Sequence, residues 1–168
     1  TKSIEKNYTI AVIQLIAPNP FWYDPTILTS SMVGFTGGFS LPFSFPINFG
    51  TVGTNISIDN TGDVSTPILL TFTGEIVDPV ITNNTTGESI IIVKQTNDGD
   101  TLVINTAFGA KSVQILSGGV YSNAFEYVDP DSVFWQLQPG INSVSYTATS
   151  EGPNASAQIQ YYKRFSGV

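Results

Sequence analysis

Three pairs of carboxylates lie close enough along the chain to share a site: Glu75 with Asp78, Asp98 with Asp100, and Asp129 with Asp131. Two such groups on either side of a glycosidic bond can act as acid and base, or as acid and nucleophile. Other routes to catalysis are closed. The chain has no His and no Cys, which removes imidazole bases and triads, thiol nucleophiles and the usual zinc ligands. Each carboxylate pair also reads as turn chemistry. "NDGD" (97–100) sits between two apolar runs and supplies a Gly for positive φ, the pattern of a hairpin turn. "DPD" (129–131) reads as a turn or a helix N-cap. Calcium binding by "NDGD" lacks the EF-hand spacing and its terminal Glu. We carry the turn reading forward and assign no catalytic residue, no cofactor and no metal ligand.

The stretch with most to offer a ligand is "NPFWYDP" (19–25). Exposed aromatic rings stack on the apolar faces of sugars, and a neighbouring Asp can bond their hydroxyls. Phe21, Trp22, Tyr23 and Asp24 are therefore candidate carbohydrate-binding residues. The competing expectation is that these rings, fenced by prolines, cover the end of the core, as most large aromatics do. We expect the covering role, and weigh Trp135 and the pair Tyr161 and Tyr162 in the same way.

The elements that must position these residues are strands. Period-two alternation dominates, and no segment sustains a helical period. "TNISIDN" (54–60) places Ile56 and Ile58 on one face. "TPILLTFTGEI" (66–76), "PVITN" (79–83), "IIIVKQ" (90–95), "TLVINT" (101–106) and "KSVQIL" (111–116) read as further strands. The "NDGD" turn is expected to join the fourth and fifth of these as a hairpin. A last hairpin is expected at the C-terminus. In it, Val144, Tyr146 and Ala148 alternate with polar neighbours, "SEGPN" (150–154) turns, and Ala155, Ala157, Ile159 and Tyr161 alternate again. A short helical turn is expected in "DPDSVFWQL" (129–137). Residues 35–53, rich in Gly, Pro and Phe, read as a long loop or ragged edge, because Pro interrupts a central strand. Short strands with regular turn signals predict an all-β antiparallel sandwich or jelly roll, in one domain without internal repeats.

Composition limits the partners. Of 168 residues, 41% are apolar and only 11% charged, with a net charge of −7. The six basic residues are scattered, which argues against nucleic acid and anionic membranes, both of which need clustered Lys and Arg. No apolar run has the length of a membrane-spanning helix, and the N-terminus has no signal-peptide core. The chain opens on Thr, as a processed or excised piece would. Sequons such as Asn7-Tyr8-Thr9 and Asn84-Thr85-Thr86 are what a Thr- and Asn-rich chain produces by chance.

An ordered series of stretches then resembles one family. "FWQLQPGINSVSY" (134–146) followed by "IQYYKRFSGV" (159–168) is similar to the C-terminal end of distal tail proteins from siphophages of Gram-positive hosts. "IAPNPFWYDP" (16–25) resembles that family's opening, residues 47–92 its middle, and "GDTLVINTAFGAKSV" (99–113) its next hairpin. The resemblance implies a galectin-like β-sandwich, the outward-projecting C-terminal domain of a tail-tip hub. In that family an N-terminal domain forms a hexameric ring; the resemblance implies that this sequence corresponds to the other domain, and this piece is then expected to be a monomer. Implied partners are the tail tube, the tail-associated fibre or lysin, and the receptor-binding protein, with host wall polysaccharide as a further candidate. The implied location is the virion, after synthesis in the bacterial cytoplasm. The sugar site of galectin-like relatives needs a His and cannot be transferred, because fold alone does not give function.

Overall fold

The computed structural model describes residues 12–14, 20–33 and 54–167. The expected loop at 35–53 and the sequon at Asn7 lie outside them. Among the described residues the chain forms β1 (Trp22–Tyr23), β2 (Leu28–Met32), β3 (Thr54–Asn60), β4 (Ile68–Thr73) and β5 (Ile76–Val77). Next come β6 (Val80–Asn83), β7 (Glu88–Ile91), β8 (Thr101–Asn105), β9 (Ser112–Ser117) and β10 (Val120–Asn123). A 3₁₀ turn at Phe125–Tyr127 precedes β11 (Gly140–Thr147), β12 (Ser150–Glu151), β13 (Ser156–Tyr161) and β14 (Arg164–Phe165).

Two antiparallel sheets carry the architecture. One has the order β10-β9-β8-β4-β13-β2 and the other β3-β11-β6-β7. Their inner faces are the apolar halves of alternating strands. Ile68, Leu70 and Phe72 of β4, Leu102 and Ile104 of β8, and Ala157 and Ile159 of β13 are buried on the first sheet. Ile58, Ile81, Ile90, Val144 and Tyr146 are buried on the second. The Phe72 and Tyr146 rings meet across the sandwich with centroids 5.4 Å apart. Burying each such side chain contributes about 1.5–3 kcal/mol, so the paired faces supply the main driving force. The all-β antiparallel sandwich is the expected fold.

Two expected hairpins are crossovers instead. β7 pairs with β6, and β8 pairs with β4 and β9, so "NDGD" carries the chain from one sheet to the other. β11 pairs with β3 and β6, whereas β13 pairs with β2 and β4, so the C-terminal strands also face each other across the core. The local turn chemistry is present all the same. Gly99 has φ +90°, and the Asp100 carboxylate accepts from the Asn97 N–H at 3.0 Å and its side-chain amide at 2.9 Å. What decides pairing is burial. In both cases each flanking strand has one apolar face, and facing those two surfaces together removes more of them from water than pairing side by side. Real hairpins occur at Gly118–Gly119, both with positive φ, and between β6 and β7.

The helical turn expected at 129–137 is likewise corrected. The 3₁₀ turn lies upstream, and Asp129 closes a tight turn by accepting from the Asp131 N–H at 2.9 Å. The Ser132 hydroxyl then holds the edge of β7, accepting from the Ile91 N–H and donating to the Ile91 carbonyl. Those local bonds satisfy the backbone without a helix.

Candidate functional site

Three of the six sequence-derived carboxylates, those of Glu75, Asp100 and Asp129, are bonded to nearby polar groups. Glu75 accepts from the Gln95 side-chain amide at 3.2 Å, and Asp78 occupies the left-handed region with φ +50°. The Ser117 hydroxyl and the Asn97 amides hold the Asp100 carboxyl below its ordinary range, which suits an anchor and not a general acid. The groove beside Asp100, with Lys94, Asn97 and Tyr127 among its walls, has no second carboxylate in its lining. Among the described residues no group of three or more acidic side chains is placed to hold a metal.

The aromatic run behaves differently from its expected covering role. Phe21, Trp22 and Tyr23 alternate across a two-stranded ribbon in which Trp22 pairs with Phe165 and Tyr23 with Arg164. Residues i and i+2 of a strand share a face. Phe21 and Tyr23 therefore turn one way and Trp22 the other, with its indole over Gly167 and 72% exposed. The core is closed by Trp135 instead. Asp24 joins neither side: its carboxylate accepts from the Thr26 N–H at 2.9 Å, the chief reason its pKa is lowered. Thus the structure brings together Phe21 and Tyr23, and separates both from Trp22 and Asp24.

What they meet is Arg164. Its guanidinium carbon lies 4.0 Å from the Phe21 ring centre and 5.6 Å from that of Tyr23. Such stacking contributes about 0.5–2 kcal/mol, more when desolvated. A groove of about 440 Å³ opens there, lined by Phe21, Tyr23, Ser65, Phe108, Gln136 and Arg164 among others. Gln136 accepts from the Ser65 hydroxyl at 3.3 Å, and Phe108 stands 94% exposed at the rim. Sequence reasoning missed Arg164, Ser65, Gln136 and Phe108. The one available signal was a lone Arg beside aromatics in a chain with few cations.

The described residues thus form a two-sheet antiparallel sandwich that carries an aromatic, Arg-lined groove. The chain belongs to a family of phage tail proteins: it matches the siphovirus-type tail component, C-terminal domain, over residues 61–165. A search of curated proteins finds no match. Among solved structures it is similar to a chain of the phage P2 baseplate in its activated conformation with Ca, at 14% identity and TM-score 0.47, covering 88% of this chain and 54% of that one. It is also similar to a chain of the same baseplate with Sr, at 14% identity and TM-score 0.44, covering 83% and 52%. The chain spans about half the length of both.

Proposed function

We propose that this chain is a structural, non-enzymatic module of the siphophage tail tip, the outward-projecting domain of the distal tail hub protein. The observation that supports it is the extent of the family match. Residues 61–165 take in both sheets from β4 to β14, so the shared feature is the sandwich itself and not a local motif. The carboxylates bonded within turns support the absence of hydrolytic chemistry. In this role the chain acts as a single domain, with the described two-sheet sandwich as its body. Ring formation belongs to a separate N-terminal domain of the full-length protein, which is hexameric. Its partners are the tail tube, the tail-associated fibre or lysin, and the receptor-binding protein.

A virion carrying an epitope tag on the Gly118–Gly119 turn tests this by electron microscopy. Label at the tail tip is expected; label along the tube, or none in the particle, overturns the hub assignment. Light scattering of the chain alone is expected to give a monomer, and a stable hexamer would contradict the division of labour.

A further inference from the structure

Arg164 is the chain's single arginine, and only 9% of it is exposed. Guanidinium keeps its charge in proteins, so this cation cannot neutralise itself to suit its surroundings. One hydrogen bond is satisfied, from Nη1 to the Ser65 carbonyl oxygen at 3.1 Å. Nε is buried with no partner. No carboxylate pairs with it among the described residues. Asp63, whose backbone N–H bonds the Arg164 carbonyl, gives its carboxylate to the N–H and hydroxyl of Ser166. A buried charge with no carboxylate opposite it is costly, and an anion in the groove that Arg164 lines would meet it at the Nη atoms, Nε itself being sealed from solvent.

The surroundings say what kind of anion. The groove's volume falls within the roughly 300–1,000 Å³ typical of small-molecule sites. Beside the guanidinium stand the Gln136 amide, a donor to hydroxyls, and the exposed Phe108 ring, an apolar face. A second groove of about 340 Å³ shares Tyr23 and Pro67 with the first and continues to Tyr162. A ligand longer than one ring therefore has a path along the same end of the sandwich. We infer that this end binds a saccharide bearing a carboxylate or phosphate. Arg164 receives the anion, Gln136 a hydroxyl, and Phe108 the apolar face of a ring. The net charge of −7 repels anions over the rest of the surface. Saturable binding of an acidic sugar would thus have few other places to occur. The inference stands independently of where the chain sits in the tail.

Titration of the whole chain with glucuronic acid and with glucose 6-phosphate, followed by heteronuclear NMR, tests it. Glucose serves as the neutral control and inorganic phosphate as the bare anion. Saturable shifts at Arg164, Gln136 and Phe108 are expected with at least one acidic sugar, and the stronger of the two separates carboxylate from phosphate chemistry. Arg164→Lys is expected to weaken binding about tenfold or more, the loss of one charge-assisted hydrogen bond. Phe108→Ala, at a residue the fold does not bury, is expected to weaken it with an unchanged melting temperature. The inference is overturned by no saturation by either acidic sugar, by equal binding of glucose, by equal binding of inorganic phosphate, or by wild-type affinity in both variants. Displacement of the sugar by a lower concentration of hexaglutamate would assign the groove to a protein partner and overturn it as well.

Discussion

The two tryptophans of this chain sit in opposite worlds. Trp135 is 2% exposed and donates through its indole N–H to the Ile81 carbonyl at 3.3 Å, sealed where the four-stranded sheet meets the segment before β11. Trp22 is 72% exposed on a two-stranded ribbon. Each stands in an aromatic run beside a proline-rich turn, and nothing local tells them apart. Their difference comes from parity and from what lies opposite. Trp135 is packed against the four-stranded sheet through its bond to Ile81, whereas Trp22 takes the face of a short strand opposite to Phe21 and Tyr23, and only Phe21 of the three is partly buried. One ring is packed into the core, and the other stands exposed on the ribbon whose second strand carries the buried Arg164.

Trp135→Ala offers the harshest way to break that contrast. It should cost about 3–5 kcal/mol and lower the melting temperature sharply, as large-to-small changes in a packed core do. Thermal unfolding followed by circular dichroism measures it. A cost near zero would mean that Trp135 is not packed in the core.

Next comes Gly74→Ala, at the bend where β4 leaves the sheet. Gly74 has φ +95°, and a Cβ there would lie 3.0 Å from the Asn154 carbonyl oxygen and 3.2 Å from the Ala155 Cα. Both the strain and the clash act, so about 1–3 kcal/mol should be lost in chemical denaturation. A neutral result would show that the chain passes this corner by another route.

Tyr146→Phe sharpens the core from inside. The Tyr146 hydroxyl is buried without a hydrogen-bond partner, next to the Glu151 carboxylate. Burial above all, then the adjacent Glu151 side chain, which lies near hydrogen-bond reach, and its charge, push the phenol's pKa far above its ordinary 10.0. A folded pKa above the unfolded one means the native state keeps a proton that the unfolded chain releases. Stability from this group is therefore full below pH 10.0 and falls as pH rises beyond it. Tyr146→Phe should flatten that alkaline decline and, at neutral pH, change stability by no more than about 1 kcal/mol, since it removes one unsatisfied buried group but leaves the buried Glu151 oxygens without a neighbouring donor. An unchanged alkaline slope would place the phenol elsewhere.

Trp22→Ala should have the smallest effect, within about 0.5 kcal/mol, as for most surface substitutions. That reverses the large loss expected if the ring covered the core.

Much of the strand pattern was legible in the sequence, because alternation is a local property. From Ala155 to Tyr161 every expected inward residue is buried and every expected outward one is not. The Gly118–Gly119 turn was readable for the same reason, since positive φ at both positions is written in the residue types. Pairing was not. The "NDGD" and "SEGPN" turns look like hairpin turns, but partners are chosen by which apolar faces can be brought together over the whole chain. The groove was less legible still. The alternation of β13 ends at Tyr161, and Tyr162 and Lys163 lie between it and β14. Arg164 is therefore buried out of step with the strand before it, and no extension of that pattern could place it.

The division between a ring packed in the core and a ring exposed on the ribbon can be read from tryptophan fluorescence in the Trp22→Phe variant, where Trp135 is the sole emitter. Blue-shifted emission with strong protection from acrylamide in the native state, lost on unfolding, is the expected result. Red-shifted native emission, quenched as readily as in the unfolded chain, would contradict the closed core and with it the placement of every strand around Trp135.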